Sequence, residues 1–414
     1  MVSTRSTLFR VLWVLALAMA APFVLAHPSA PPTWQRIDSP APAVGLDGKL
    51  HKAQCSGYPG TDSSFRFWAR KGKSKNLVVY FEGGGACWDN LTCTFPIAGL
   101  PPQVPQFFVP QVPPGTDPAT LGGIFRGDNP ANPVGDWDMV YIPYCTGDLH
   151  AGSATRQYTS IGNAALGVPA GLPLTIQHRG FDNFMVVMDW VKKNFDKPKN
   201  VLVTGASAGG YGATINSPWI GKAYPKAKMF VLADASQGVT TTAFDTGTPG
   251  RGNWNAQFAP WVFGANATSL SGGEFMRRAA QGQPRARLAQ FTTALDNVQI
   301  GFYGVMKQFY GPGGSCPNPA IDWYQQMKTQ IVSDGTSVRN FRFYVAGGQY
   351  HTLLRDDNYY NETSAGPPFA SWLGGMLDRR GGGDDDHHDD DDAHGGVRWT
   401  NVACPTCLVD LPCQ

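Results

Sequence analysis

The segment Gly205-Ala206-Ser207-Ala208-Gly209 places a serine between two glycines, directly after the apolar run Val201-Leu202-Val203. Gly-x-Ser-x-Gly after a strand predicts a tight strand-to-helix turn that lifts the serine hydroxyl clear of the sheet. Glycine is needed at both ends because a side chain there would collide with the neighbouring strand or the following helix. Ser207 is therefore the candidate nucleophile of a serine hydrolase.

A serine hydroxyl near neutral pH needs a general base, and His351 is the candidate. It follows the strand-like run Phe341 to Ala346 and a glycine-containing turn, which is where a hydrolase of this architecture carries its histidine. Two other histidines compete for the role: His150, after a predicted strand, and His178, before a helical pattern. The position after the later strand favours His351.

The acid that orients this base is expected between the serine and the histidine in chain order. Asp234 ends the strand-like run Met229 to Ala233, and Asp296 lies in the mostly apolar segment 294–300. Position and pattern alone leave both candidates open.

The glycine run Glu82-Gly83-Gly84-Gly85-Ala86 follows another strand-like segment and can supply backbone donors to an oxyanion. Glycines let the backbone approach a substrate closely, and these amides can act together with the amide of Ala208. Glycine-rich loops also bind phosphates, but the Lys-Ser/Thr of a P-loop does not follow here. The pattern therefore predicts an oxyanion hole.

The elements that would position these groups alternate between strands and helices. Runs of strand length, rich in Val, Tyr and Phe, are Asn76 to Phe81, Met139 to Tyr144, Asn200 to Thr204, Met229 to Ala233 and Phe341 to Ala346. Between the second and third, apolar residues from Phe181 to Phe195 recur at helical spacing. This alternation predicts an α/β fold, α/β-hydrolase-like, with a mostly parallel central sheet covered by helices on both faces.

The N-terminus predicts export. Residues 1–26 carry Arg5 and Arg10, then an apolar run, then small residues before a cleavage site after Ala26, as in a secretory signal peptide. Its removal lowers the formal charge from +2 to about 0, which does not favour nucleic acid as a partner. No later stretch is long and apolar enough to cross a bilayer, so no stable membrane insertion is expected after cleavage. We predict a secreted protein, extracellular or periplasmic.

All eight cysteines follow the cleavage site, and an even number in an exported protein predicts four disulfides. The pair Cys404-Pro-Thr-Cys407 is typical of zinc or redox chemistry in a cytosolic protein, but no second ligand pair has suitable spacing. A structural disulfide is favoured there. We expect no metal and no cofactor.

Two segments interrupt the alternating pattern. Phe95 to Thr120 is dense in proline and contains Phe107 and Phe108, so it is either a lid near the site or a surface excursion. Residues 379–396 combine glycines, seven aspartates and three histidines, and their mutual repulsion predicts a disordered insertion. The chain is therefore predicted to form a single catalytic domain from residues 27–378 and 397–414.

Several motifs together resemble the pectin acetylesterase (Notum) family of serine carboxylesterases, over Cys55 to Trp372. The motifs are Cys55-Ser-Gly-Tyr-Pro-Gly, Glu82-Gly-Gly-Gly-Ala-Cys-Trp88, Gly123-Ile-Phe, Asn132-Pro133 with Trp137, Tyr141-Ile-Pro-Tyr-Cys145, Gly147-Asp148, His178-Arg179-Gly180 and the serine turn. Their shared order along the chain makes the set more specific than any single motif.

The resemblance implies particular roles. The family's acid lies in Asp-x-x-Gln-Ile/Leu, which is Asp296 to Ile300 here, and Asp234 then takes a structural role at a strand end. The same resemblance implies an oxyanion hole formed by the amides of Gly84, Gly85 and Ala208. It also implies the disulfides Cys87–Cys93 and Cys55–Cys145.

The implied function is that of a secreted serine carboxylesterase. Its substrate would be an acylated carbohydrate or small ester, from which it removes a short acyl group, most simply acetyl, as in pectin. Many relatives carry Trp soon after the glycines, whereas Ala86 and Cys87 precede Trp88 here, so the pocket wall is expected to differ. Two alternatives are a lipase-like or polyester-degrading hydrolase with a hydrophobic lid, and a noncatalytic carbohydrate-binding protein. The sequence leaves the oligomeric state open.

Overall fold

A nine-stranded sheet is the central feature of the computed structural model, which describes residues 33–95, 107–164, 167–378 and 397–413. The strands are β1 (Trp34–Asp38), β2 (Ala43–Val44), β3 (Leu50–His51), β4 (Arg66–Arg70), β5 (Asn76–Phe81), β6 (Asp138–Ile142), β7 (Ala154–Thr159), β8 (Pro173–His178), β9 (Asn200–Ala206), β10 (Lys228–Asp234), β11 (Arg287–Thr293), β12 (Phe341–Ala346) and β13 (Val402–Ala403).

The order of strands across the sheet is β1-β4-β6-β5-β9-β10-β11-β12-β13. The pairings of β1 with β4 and of β4 with β6 are antiparallel, and every pairing from β6 onward is parallel. Two antiparallel hairpins, β2–β3 and β7–β8, lie outside the sheet. The prediction of an α/β-hydrolase-like fold with a mostly parallel sheet is confirmed.

Helices flank the sheet and connect its parallel strands. They are α1 (Asn90–Thr94), α2 (Gly180–Asn194), α3 (Ala208–Ala223), α4 (Thr242–Thr246), α5 (Pro260–Phe263), α6 (Glu274–Gly282), α7 (Asn297–Phe309), α8 (Pro319–Ser337), α9 (Asn358–Asn361) and α10 (Phe369–Leu377). α2 begins and ends within one residue of the segment that the apolar spacing predicts.

The central strands are buried on both faces, and their sequences show it. β9 is buried at every residue after Asn200, as expected of a parallel strand covered on both sides. β11 is equally buried but contains Gln290, Thr292 and Thr293. These polar side chains are satisfied locally; for example, Thr293 donates to the carbonyl of Tyr350 at 2.6 Å. Their presence hides β11 from a search for apolar runs.

Disulfides connect the loops around the sheet. Cys55–Cys145 and Cys87–Cys93 form the two pairs implied by the resemblance, and Cys316–Cys413 and Cys404–Cys407 complete the set. The prediction of four disulfides is confirmed, and none of the described cysteines is free.

The described residues form one compact unit, and among them no helix is long and apolar enough to cross a membrane. The predicted signal peptide and the acidic segment 379–396 lie outside the described residues, as does 96–106 of the proline-rich segment.

The parallel strands bring their carboxyl ends to one edge of the sheet, which is where open α/β sheets bind ligands. The glycine run follows β5, Ser207 follows β9, Asp296 follows β11 and His351 follows β12. Residues far apart in sequence are thus delivered to one place by the strand order.

Candidate active site

Ser207 occupies the turn between β9 and α3 in a conformation that few residues other than glycine adopt. Its backbone has φ of 57° and ψ of −124°. The turn is held by two hydrogen bonds: the Ser207 amide donates to the carbonyl of Asp234 at 2.8 Å, and the Gly210 amide donates to the Ser207 carbonyl at 2.9 Å. A non-glycine residue with this backbone indicates a site where local strain serves a purpose.

The glycines around the serine are sterically required. A Cβ on Gly209 would lie 1.9 Å from the Phe81 carbonyl oxygen, and one on Gly205 would lie 2.4 Å from the Gly209 oxygen. These are contacts with backbone atoms, which cannot swing away as a flexible side chain would. The collision predicted from the sequence is therefore present on both sides of Ser207.

His351 lies between a carboxylate and the pocket that contains Ser207. Its Nδ1 donates to Asp296, at 2.9 Å from Oδ1 and 2.8 Å from Oδ2. Because a carboxylate only accepts, this contact keeps the proton on Nδ1 and leaves Nε2 as a free acceptor. Nε2 is buried and has no hydrogen-bond partner among the described residues, and both His351 and Ser207 line the same pocket.

Asp296 is fully buried and firmly held at the N-terminus of α7. Its Oδ1 accepts the amides of Val298 at 3.1 Å and Gln299 at 3.0 Å, and its Oδ2 accepts the side-chain amide of Gln299 at 2.9 Å. These contacts hold the Asp296 carboxylate in place, facing the imidazole.

Asp234, the other candidate acid in the sequence, contacts backbone amides and not the imidazole of His351. Its Oδ2 accepts the amides of Leu353 at 2.8 Å and Leu354 at 2.9 Å, just beyond His351. Its own carbonyl accepts the Ser207 amide, so this one residue connects the serine turn to the histidine loop. Burial raises the pKa of Asp234 to about 7.

The glycine run curves past the serine turn. A Cβ on Gly83 would lie 3.0 Å from the Cβ of Ser207, and Gly85 has φ of 74° with no room for a side chain. Residues 107–109 form an isolated β-bridge with this loop: the Val109 amide donates to the Gly84 carbonyl and the Ala86 amide donates to the Phe107 carbonyl, both at 2.9 Å.

The three amides implied by the resemblance remain available to a ligand. In the described part of the chain, the amides of Gly84, Gly85 and Ala208 donate no hydrogen bond, and Gly85 and Ala208 line the pocket beside Ser207. The described end of the proline-rich segment, from Phe107 on, supports this loop. Its role as a lid stays a prediction.

Glu82 and Arg355 connect the glycine loop to the histidine loop. No sequence pattern indicates a role for either residue. Glu82 Oε1 accepts the Gly83 amide and Nη1 of Arg355, both at 2.8 Å, and Oε2 accepts the Tyr141 hydroxyl at 2.8 Å. Burial raises the pKa of Glu82, and the Arg355 charge opposes this shift. The partners are 273 residues apart in sequence, so no local pattern pairs them.

The two rival histidines lie elsewhere in the core. His150 donates from Nε2 to the Glu82 carbonyl at 2.9 Å. His178 donates from Nδ1 to the Thr146 carbonyl, and its Nε2 accepts from the Tyr158 hydroxyl. Burial lowers the pKa of each to about 4, so both are neutral at physiological pH. Neither lines the pocket that contains Ser207.

The pocket beside Ser207 is mainly aromatic and aliphatic. Its walls include Trp88, Leu149, Phe244, Trp254, Phe302 and Met306. Ala86 also lines it, at the position where the sequence departs from many relatives. Polar groups other than the serine and histidine enter the wall at Tyr211, Thr240, Asp245, Arg251 and Gln299.

Among the described residues, one cluster has the composition of a metal site: Cys87, Cys93 and His178. The two cysteines form a disulfide, so neither sulfur is a thiolate that could bind a metal.

Comparison with known proteins finds a matching family model for part of the chain. Residues 47–245 match the pectinacetylesterase family model, a span that contains the glycine run and Ser207 but ends before Asp296 and His351.

Similar proteins include palmitoleoyl-protein carboxylesterase notum2 of Xenopus laevis, 29% identical over 38% of this chain and 28% of that protein. Notum1a of Danio rerio is 27% identical over 42% of this chain and 32% of its own length. NOTUM of Mus musculus is 25% identical over the same shares, 42% and 32%. The matches thus span about a third or less of each relative. Residues 47–245, just under half of the chain, are thus similar to the pectinacetylesterase family.

Proposed function

We propose that this protein is a carboxylic ester hydrolase that works through an acyl-enzyme on Ser207. One observation carries the proposal: the unpartnered Nε2 of His351 and the strained Ser207 share a pocket, and the other ring nitrogen of His351 is bonded to buried Asp296. A nucleophile, a base and an orienting acid are the parts that serine catalysis requires.

In the proposed mechanism, Ser207 attacks the ester carbonyl while Nε2 of His351 takes the serine proton. Asp296 stabilises the imidazolium that forms. The tetrahedral intermediate then collapses, the ester C–O bond breaks, and His351 returns the proton to the leaving alcohol. Water attacks the acyl-enzyme with His351 again as the base, which releases the acid and restores Ser207.

The oxyanion of each tetrahedral intermediate would bind the amides of Gly84, Gly85 and Ala208. These amides have no other partner in the described part of the chain, and the glycine loop closely approaches Ser207; both observations support this role. Such donors are effective because they are already oriented where negative charge develops.

For the substrate, we propose a short acyl ester, most simply acetyl, on a carbohydrate such as pectin. The family match supports this choice. Four disulfides fit an exported enzyme that meets such a polymer outside the cytoplasm.

The lining of the pocket favours a second candidate, an ester with a longer acyl chain. Aromatic and aliphatic walls around Trp88, Phe244 and Phe302 offer far more apolar contact than an acetyl group uses. The relatives named as palmitoleoyl-protein carboxylesterases are consistent with this candidate.

The test compares hydrolysis of nitrophenyl acetate, butyrate and octanoate with acetate release from acetylated pectin. The mature protein is assayed beside Ser207→Ala, with Ser333→Ala on the exposed face of α8 as the matched control. We expect Ser207→Ala to lose activity by at least about 10³-fold and Ser333→Ala to retain it.

Preference for acetate with release from pectin supports the first substrate, and a steep rise toward octanoate supports the second. A folded wild-type protein that turns over none of these esters contradicts the proposal and favours a noncatalytic carbohydrate-binding role.

A further inference from the structure

A buried ion pair forms part of the wall of the apolar pocket. Asp245 lies on α4, and Arg251 lies five residues beyond the end of that helix. Both side chains are 4% exposed and both residues line the pocket that contains Ser207. Charged groups in a mostly apolar wall carry a desolvation cost, so their presence calls for a physical reason.

One polar atom of each side chain is held by neighbouring groups. Oδ2 of Asp245 accepts from the Thr240 hydroxyl at 2.6 Å and from the Gly272 amide at 3.3 Å. Nη2 of Arg251 donates to the carbonyls of Thr268, at 3.1 Å, and Leu270. These contacts fix both side chains in place without involving the remaining atoms.

Two further atoms, one from each side chain, face each other. Nη1 of Arg251 lies 3.3 Å from Oδ1 of Asp245, but the geometry does not make a hydrogen bond. Both atoms are buried and neither has a hydrogen-bond partner among the described residues. Two residues that line the pocket therefore carry one donor beside one acceptor, each without a hydrogen bond among the described residues.

We propose that this pair binds an alcoholic hydroxyl group on the part of the ester that enters the pocket. The hydroxyl oxygen accepts from Nη1 of Arg251, and its hydrogen is donated to Oδ1 of Asp245. The inference rests on the proposed ester hydrolysis and adds a substrate class to it: esters that carry a hydroxyl in addition to the ester group.

The chemistry of the pair selects among polar groups. A single hydroxyl oxygen both accepts and donates, which matches a donor and an acceptor that are side by side. A carboxylate would be repelled by Asp245 and an ammonium by Arg251, so charged groups gain from one partner and lose to the other. The apolar walls then contact the carbon skeleton that carries the hydroxyl.

The hydroxyl can belong to either half of the ester, and two substrate series distinguish them. For the acyl half, nitrophenyl hexanoate is compared with its 3-hydroxy and 6-hydroxy derivatives. For the alcohol half, hexyl acetate is compared with the monoacetates of hexane-1,2-diol and hexane-1,6-diol. The observable is the ratio of kcat/KM between each hydroxylated ester and its plain analogue.

We expect wild-type protein to prefer at least one hydroxylated ester by about tenfold or more, because a plain analogue leaves the buried pair unsatisfied. The double variant Asp245→Leu/Arg251→Met removes both charges, and apolar replacement of a buried pair is often tolerated. Its ratio should fall close to one while turnover of the plain ester persists. The control is Arg277→Met/Asp334→Leu, an ion pair at 2.6 Å that does not line the pocket, which should keep the wild-type ratio.

A wild-type ratio near one in both series overturns the inference, and it needs no variant to fold. A preference that survives in a folded double variant overturns it as well. If plain esters are hydrolysed without preference, only this inference fails. If no ester of either kind is hydrolysed, the proposed function fails and the inference fails with it.

Discussion

Asp296 and Asp234 allow a sharp test of the site, because both are buried aspartates at strand ends near His351 but their carboxylates have different partners. Asp296 accepts from the imidazole, whereas Asp234 accepts from the amides of Leu353 and Leu354. Asparagine is nearly isosteric with aspartate, so Asp296→Asn and Asp234→Asn form a matched pair. We expect the first to abolish most activity and the second mainly to change stability.

The magnitude for Asp296→Asn follows from the charge it removes. Asparagine cannot balance the imidazolium that forms during attack, and its NH₂ group can hold His351 in the wrong tautomer. Loss of the acid's charge in a triad of this kind reduces kcat by about 10⁴-fold. KM should change little, because Asp296 does not line the pocket.

The magnitude for Asp234→Asn follows from its raised pKa. Burial moves the pKa from 3.8 to about 7, so the folded state binds a proton that the unfolded state has released. Wild-type protein therefore loses stability as pH rises from about 4 to 7, by about 4 kcal/mol from this group at about 1.4 kcal/mol per unit. Asparagine does not titrate, so the variant should lack this loss, and its kcat should remain within about tenfold of wild type.

The assay measures kcat and KM on nitrophenyl acetate for all three proteins, and the free energy of unfolding in urea at pH 4.5 and 7.5. Comparing the pH-dependent change between wild type and Asp234→Asn cancels the other titrating groups. Activity loss in Asp296→Asn is interpreted only with an unfolding midpoint close to wild type.

The reverse result would refute the assignment of the acid. If Asp234→Asn lost 10⁴-fold and a folded Asp296→Asn stayed within tenfold, Asp234 would be the catalytic acid despite its backbone partners. Equal stability changes with pH in wild type and Asp234→Asn would show that burial does not raise this pKa.

Three further predictions test the surroundings of the site. Arg355→Met removes the cation that pairs with Glu82 and should lower kcat about tenfold with little change in KM. Because Arg355 is 45% exposed, the free energy of unfolding should fall by about 1 kcal/mol. Adding Glu82→Gln should restore this stability, as measured by urea unfolding. His150 and His178 are buried in their neutral form, each with a pKa of about 4. The free energy of unfolding should therefore fall as pH drops from about 6.5 to 4, by up to about 3 kcal/mol per residue. His178→Gln should lose less unfolding free energy than wild type across that window. Replacing Cys55 and Cys145 by alanine opens a loop of 90 residues and should cost about 4–5 kcal/mol of unfolding free energy, whereas conservation of wild-type stability would contradict the chain-entropy argument.

The strands could be predicted where burial on both faces produces a continuous apolar run in the sequence. β5 and β12 have the bounds that their apolar runs indicate, because parallel strands buried on both faces require apolar residues throughout. β11 could not be found in this way, because Gln290, Thr292 and Thr293 satisfy their polar groups inside the sheet. The edge strand β1 was missed for the opposite reason: it is largely exposed and reads as polar.

The candidate site likewise contains residues that a local sequence pattern identifies and contacts that no local pattern indicates. Ser207 and the glycine run could be identified from the sequence because a tight turn and a close backbone approach demand glycine at fixed, local positions. The contact between Glu82 and Arg355 could not, since nothing in either neighbourhood specifies a partner 273 residues away. Chain order narrowed the acid to two aspartates, and only the family motif then favoured Asp296.

The ambiguity between those aspartates has a structural cause. Both stand where a parallel strand ends, so each is delivered to the same edge of the sheet, and the two strands β10 and β11 are direct neighbours there. What separates them is the element that follows. After β11 the chain begins α7, whose first amides donate to the carboxylate of Asp296. After β10 the carboxylate of Asp234 meets only two amides of the histidine loop, and burial holds its pKa near 7. A helix N-terminus beside the carboxylate therefore distinguishes the residue suited to balance an imidazolium from the residue suited to hold a loop.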